Sequence, residues 1–357
     1  MTNYHLAGTL RGTNLPELWI TNGLFCETRP EGPVTEVTGF VYPGLVDAHT
    51  HPGLSHTAEM VDDSEVLRRL AILRAQGVTV VREMGAQRDV GHLAALGRTK
   101  VIRSGRHLAR TKRYLRYLPI DVEPMDLPAA AAEQAARSDG WVKIVGDWID
   151  RSDGAGSDLQ PLWPREALVD AFAAVHELGC KVAVHTFATD AIDHLLEAGV
   201  DSIEHGTGMT RDHLIEARER GILIDPTMRQ ISTFEKIALQ AVRYPVYQEH
   251  MMAMHTRRAE QLRLMIEVGS HIIMGSDTAE DLAERGLPSE LNHCVAAGMS
   301  PQAAMASASY EGRRLLGLPA WQIGAPGDVV VYNTDPELNI DVTWKPDLVL
   351  IDGKSAE

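Results

Sequence analysis

The feature that most constrains this chain is a rhythm. Between residues 44 and 318, short apolar runs alternate with longer amphipathic stretches. FVYPGLVDAHTH leads into SEVLRRLAILRAQG, and VTVVREMG and VIRSGRHLA follow. WVKIVGD precedes PREALVDAFAAVHELG, KVAVHTFA precedes TDAIDHLLEAG, and DSIEHGTG precedes TRDHLIEARERG. GILIDPT leads into a long helical stretch near residues 246–268, and HIIMGSD is the last strand candidate. Apolar runs of this length suit strands buried on both faces, and intervening helices make successive strands parallel. About eight such units predict an α/β fold, a closed (β/α)8 TIM-like barrel rather than an open sheet. Gly77, Gly179, Gly199, Gly221 and Gly269 stand where helices should end in left-handed caps before the next strand.

The two ends read differently. Residues 1–43 contain LWITNGLFCET and VTEVTGF; residues 319–357 contain GDVVVYN and PDLVLIDGK. These are short strand patterns separated by turn residues. Both ends are expected to meet as one small β-domain beside the barrel.

Composition narrows the partners. Lys and Arg total 34 against 49 Asp and Glu, a formal charge of −15. Such a chain repels phosphate backbones and anionic membrane surfaces, so no nucleic acid or membrane partner is expected. No apolar stretch is long enough to span a bilayer, and the first residues, MTNYHLAGTLRG, lack the pattern of a signal peptide. Cys26, Cys180 and Cys294 form no metal or disulfide motif and read as free thiols of a cytoplasmic protein. A small molecule or peptide is the expected substrate, and the composition is compatible with a homo-oligomer.

The chemistry concentrates at strand ends. His49 and His51 lie two apart at the end of an apolar run, so both imidazoles face one side. His185 ends KVAV, His205 follows DSIE, and Asp277 follows HIIMGS. Barrel enzymes build their sites at the C-terminal ends of strands, and imidazole with carboxylate suits zinc, manganese, iron, cobalt or nickel. Lys143 lies inside the apolar run WVKIV. A buried ammonium tends to lose its proton, and a neutral amine can react with carbon dioxide to give an anionic carbamate. The alternative is a lysine that snorkels to solvent.

Other polar residues carry weaker signals. His176, His194, His213, His250 and His255 fall in predicted helices, and His56 in a loop. Arg82 and Glu83 end the second strand, as an ion pair or as substrate contacts. The basic loop RTKRYLRY offers Arg110, Lys112, Arg113 and Tyr114, either as a solvated face or as a lid that reads a substrate carboxylate. Arg229 has similar standing.

The ordered set of GLVDAHTH, a strand lysine, and strand-end His, His and Asp resembles the metal-dependent amidohydrolase superfamily. The similarity covers roughly residues 16–355 and is nearest the imidazolonepropionase-like and Xaa-Pro dipeptidase-like branch. It implies a small β-sandwich from both termini and two divalent ions, zinc first. By resemblance, His49, His51 and Asp277 hold the more buried ion, His185 and His205 hold the second, and N6-carboxylated Lys143 bridges them. Asp277 is then the proton carrier, with His205 the next catalytic candidate. The implied reaction is attack of a metal-bound hydroxide on an amide or peptide C–N bond. Suitable substrates are a dipeptide, an N-acyl amino acid or a peptide being tailored. Two departures matter. The deaminases of the superfamily usually carry Glu where this chain has Ala188, and imidazolonepropionases generally lack the bridging lysine. Both favour a hydrolase over the alternatives, a deaminase, a cyclic amidase or lactonase, a phosphotriesterase, or a non-catalytic binding protein.

Overall fold

The computed structural model describes residues 2–356; Met1 and Glu357, the tips of the two terminal segments, lie outside the described residues. Every residue of the strands Leu45–Thr50, Val78–Glu83, Trp141–Val145, Ser202–His205 and Leu223–Asp225 is buried. That burial on both faces is what parallel strands covered by helices require, and the pairings are parallel. One sheet holds Leu45–Thr50, Val78–Glu83 and Lys100–Arg103 in that order. The other runs Ile120–Val122, Leu108–Arg110, Trp141–Val145, Lys181–Thr186, Ser202–His205, Leu223–Asp225, His271–Ile272. Backbone hydrogen bonds tie the sheets together. Ala48 N–H donates to the Met274 carbonyl and Asp277 N–H to the His49 carbonyl, both at 2.7 Å. Lys143 N–H, on Trp141–Val145, donates to the Ser104 carbonyl, next after Lys100–Arg103, at 3.2 Å.

Helices fill the connections, among them Asp63–Ala75, Arg165–Glu177, Thr189–Ala198, Arg211–Glu219 and Pro245–Val268. The first is capped by Asp62, whose side chain accepts from Glu65 N–H. All five glycines expected to close helices have positive φ.

Two strand readings are shorter than expected. VIRSGRHLA divides into Lys100–Arg103 and Leu108–Arg110, with Gly105 at φ +69° between them. HIIMGSD contributes only His271–Ile272 to the ladder. Beyond it, side-chain carboxylates take two of the backbone donors: Gly275 N–H donates to Asp225 at 3.1 Å and Ser276 N–H to Asp47 at 2.9 Å. A Cβ on Gly275 would lie 2.4 Å from the His49 Cβ, so only glycine lets this segment pass so close.

The terminal segments form mixed sheets. Leu24–Cys26, Leu18–Thr21, Asn3–Leu6 and Val34–Val37 make one. Thr9–Leu10, Phe40–Pro43, Val329–Tyr332, Leu348–Ile351 and Lys354–Ser355 make the other, which joins both ends of the chain. Leu6, Leu18, Ile20 and Phe25 share one apolar cluster with Val41, Val329 and Leu350. Asn3–Leu6 and Thr9–Leu10 were not expected from the pattern. Among the described residues no helix is long and apolar enough to cross a membrane, and the three cysteines are free.

Candidate metal centre

The parallel strands deliver their C-terminal side chains to one place. His49 and His51 share a side of their strand, with ring centroids 5.3 Å apart. Their Nε2 atoms lie 3.4 and 3.3 Å from the same oxygen, Oδ1 of Asp277. The His205 ring is 5.3 Å from that of His49 and its Nδ1 is 4.0 Å from Asp277 Oδ2. His185 completes the group, with its Nδ1 2.9 Å from His205 Nε2. Lys143 pairs in register with Ala183, two residues before His185, which sets it on the same wall.

The backbone is strained where the side chains converge. His205 has φ +74°, Asp277 φ +45° and Thr227 φ +39°. Thr227 Oγ1 lies 2.7 Å from His205 Nδ1. Left-handed non-glycine residues cost on the order of 1–3 kcal/mol each and gather at functional sites.

Burial dominates the electrostatics. It pushes His49 down to about 4, with Lys143 adding to the effect, and His205 down to about 3. His185 is also held well below its ordinary value by burial and by His205. Burial opposes a charged His51, but Asp277 and Glu83 outweigh it and raise His51 to about 9. Burial would raise the Asp277 carboxyl, yet His49, His51 and His205 hold it well below the carboxylate range. Burial lowers Lys143 to about 8 against the attraction of Glu204 and Asp277.

The neutral imidazoles of His49, His185 and His205, facing the ionised Asp277, are a divalent-cation donor set, and a cation there would displace the proton that His51 holds. Donor atoms of His49, His205 and Asp277 all lie within 4.8 Å of one another. Among the described residues, Lys143 Nζ and His185 Nε2 are buried without a hydrogen-bond partner. Buried polar atoms rarely stay unpaired: the His185 lone pair fits a cation directly, and Lys143 would fit one as an anionic carbamate.

The structure sorts the weaker candidates. Tyr114 packs against the centre, 5.6 Å from the His185 ring and 4.6 Å from Trp148. Arg229 is buried, with Nη1 3.5 Å from the Asp277 carbonyl and no ion pair among the described residues. Arg113 is engaged elsewhere, by Asp150 at 2.9 Å and the Trp148 carbonyl. Arg110 and Lys112 are exposed, and Arg110 has Glu123 at 4.0 Å. Arg82 and Glu83 do not pair with each other: Arg82 meets Glu204 at 2.9 Å, and Glu83 lies 3.9 Å from His51 Nδ1. Four helical histidines are tied structurally: His176 to Asp201 at 2.8 Å, His213 to Asp193 at 3.1 Å, His250 to Asp158 at 3.2 Å and His255 to the Ile231 carbonyl at 3.3 Å.

Sequence reasoning missed three neighbours. His107 stacks 5.6 Å from His51 and is fully buried. Trp148 lies 5.6 Å from His185. Glu204 contacts His49 Nδ1 at 2.8 Å. For Glu204, its place inside a buried strand was the available signal.

An uncharacterised protein of Mycobacterium tuberculosis is 36% identical over 354 residues, covering 97% of this chain and 95% of that one. The structure of a Xaa-Pro dipeptidase with bound methionine superposes with a TM-score of 0.82 at 20% identity, covering 99% of each chain. Ochratoxinase of A. niger gives 0.79 at 19% identity, covering 99% of this chain and 95% of that one. These likenesses show an amidohydrolase-type α/β fold. The model of the amidohydrolase family matches residues 40–356, and the chain belongs to that family.

Proposed function

We propose that this protein is a metal-dependent hydrolase of an amide or peptide C–N bond. The observation that carries the reading is the convergence of His49, His51, His185, His205 and Asp277 around the unpartnered, buried amine of Lys143. His49, His51 and Asp277 would hold one ion, His185 and His205 a second, and Lys143, carboxylated, would bridge them. Zinc is the first choice of metal. The backbone bonds between the two parallel sheets support a closed (β/α)8 barrel over residues 44–318. The apolar cluster shared by the mixed sheets supports a small β-sandwich from 1–43 and 319–357.

When bound, divalent ions lower the pKa of water and polarise a carbonyl. The chain's own residues do the rest. Asp277 is ionised and so accepts a proton at its carboxylate, then returns it to the leaving nitrogen. Tyr114, Trp148 and His107 wall the centre from bulk water. Arg229, which has no ion pair among the described residues, reads a substrate carboxylate, which favours a dipeptide or N-acyl amino acid. Ala188 offers no acid at the position where deaminases carry Glu; its N–H donates to Asp147 at 2.9 Å. We place the protein in the cytoplasm, with a small-molecule or peptide substrate.

The test is a library of dipeptides and N-acyl amino acids, with their esters and aminated heterocycles, assayed on metal-loaded protein. Amide cleavage that disappears on chelation supports the proposal. Ammonia release from the heterocycles, or turnover of esters alone, overturns it.

A further inference from the structure

Glu204 and His205 are consecutive, yet both reach His49. Neighbours in a strand point to opposite faces. The positive φ of His205 turns the chain at the strand end and breaks that alternation. Glu204 is fully buried, and both of its oxygens are occupied. Oε1 accepts from Ser202 Oγ at 2.6 Å and from Arg82 Nη2 at 2.9 Å. Oε2 lies 2.8 Å from His49 Nδ1. Arg82 is itself fully buried, donates Nε–H to the Ala48 carbonyl at 2.6 Å, and sits 4.5 Å over the Trp141 ring.

This arrangement fixes a proton. A carboxylate that accepts from a guanidinium and a hydroxyl has only acceptor capacity left for His49. The proton between them therefore resides on His49 Nδ1, and Nε2 carries a lone pair. That lone pair faces Asp277 Oδ1 at 3.4 Å, acceptor against acceptor, an arrangement that a cation satisfies. His49, Glu204 and Asp225 also come within 4.8 Å of one another. Positive charge behind His49 is already supplied there by Arg82.

We propose that Glu204, braced by Arg82 and Ser202, is the positioning residue that sets the tautomer and ring orientation of His49 for a divalent ion. The inference rests on the metal-centre reading. Partners of this kind contribute on the order of 10–100-fold to metal affinity. In Glu204→Gln the amide cannot accept from His49, Arg82 and Ser202 together. If it turns its NH2 toward His49, it forces the other tautomer and blocks Nε2.

The experiment compares wild type, Glu204→Gln and Ser202→Ala after metal removal. It reads Zn²⁺ affinity by chelator competition, the Co²⁺ absorption spectrum, and the melting temperature of the metal-free protein. Glu204→Gln is expected to bind Zn²⁺ about 10–100-fold more weakly with an altered Co²⁺ spectrum. Ser202→Ala keeps the carboxylate and Arg82 but removes one brace, and should weaken binding by about two- to tenfold. Unchanged affinity and spectrum in Glu204→Gln, with only a lower melting temperature, would make the network structural and overturn the proposal. If Glu204→Gln does not fold, Ser202→Ala decides: wild-type affinity and spectrum there overturn it equally. Failure of the wild type to bind Zn²⁺ or Co²⁺ would instead bring down the metal centre itself.

Discussion

Replacing Lys143 by Met should stabilise the metal-free protein while destroying its function. Lys143 is 1% exposed, and burial lowers its pKa from 10.5 to about 8. Between those values the folded state binds fewer protons than the unfolded state, so stability rises with pH through that window. Below about pH 8 the whole penalty of burying the ammonium is present. At about 1.4 kcal/mol per tenfold change, it amounts to about 3 kcal/mol. Met has a similar length, no charge and a tolerance for irregular cores. Chelator-stripped Lys143→Met should therefore exceed stripped wild type by about 3 kcal/mol at pH 7, with the difference shrinking toward zero near pH 10.5. Denaturant unfolding from pH 7 to 10.5 measures this directly. The same variant should hold one fewer metal ion and lose nearly all hydrolysis. A variant less stable than wild type, or a difference that ignores pH, would refute the reasoning.

Two further substitutions separate binding from chemistry. Asp277→Asn keeps an oxygen donor but cannot take up a proton, so kcat should fall by about two to four orders of magnitude while the fold and much of the metal survive; metal loss in step with activity would make Asp277 chiefly a ligand. Arg229→Met should raise KM on the order of 10–100-fold for substrates with a free carboxylate. Their C-terminal amides should react equally with both proteins, and an equal loss on both substrates would remove Arg229 from recognition.

The strand-end histidines were legible because each closes an apolar run, and buried parallel strands point their last residues at one mouth. Lys143 was legible by contrast, as a charge inside WVKIV. What lay hidden depended on backbone geometry. His205 and Asp277 turn through positive φ, and no periodicity announces that Glu204 and His205 will share a site. His107 sits where an expected single strand is broken around Gly105. The basic loop was visible as composition, but composition does not orient side chains: Asp150 takes Arg113, and Tyr114 turns inward. Asn3–Leu6 is too short and polar to read as a strand. Its place comes from pairing with both Leu18–Thr21 and Val34–Val37.

Metal content tests the proposed centre most directly. Protein purified without chelator, analysed for its elements and titrated with Zn²⁺ or Mn²⁺ after stripping, should approach two divalent ions per chain. Hydrolysis should appear and vanish with that occupancy. No bound metal, or a single equivalent with no gain on adding either ion, would contradict a two-metal hydrolase built on His49, His51, Lys143, His185, His205 and Asp277.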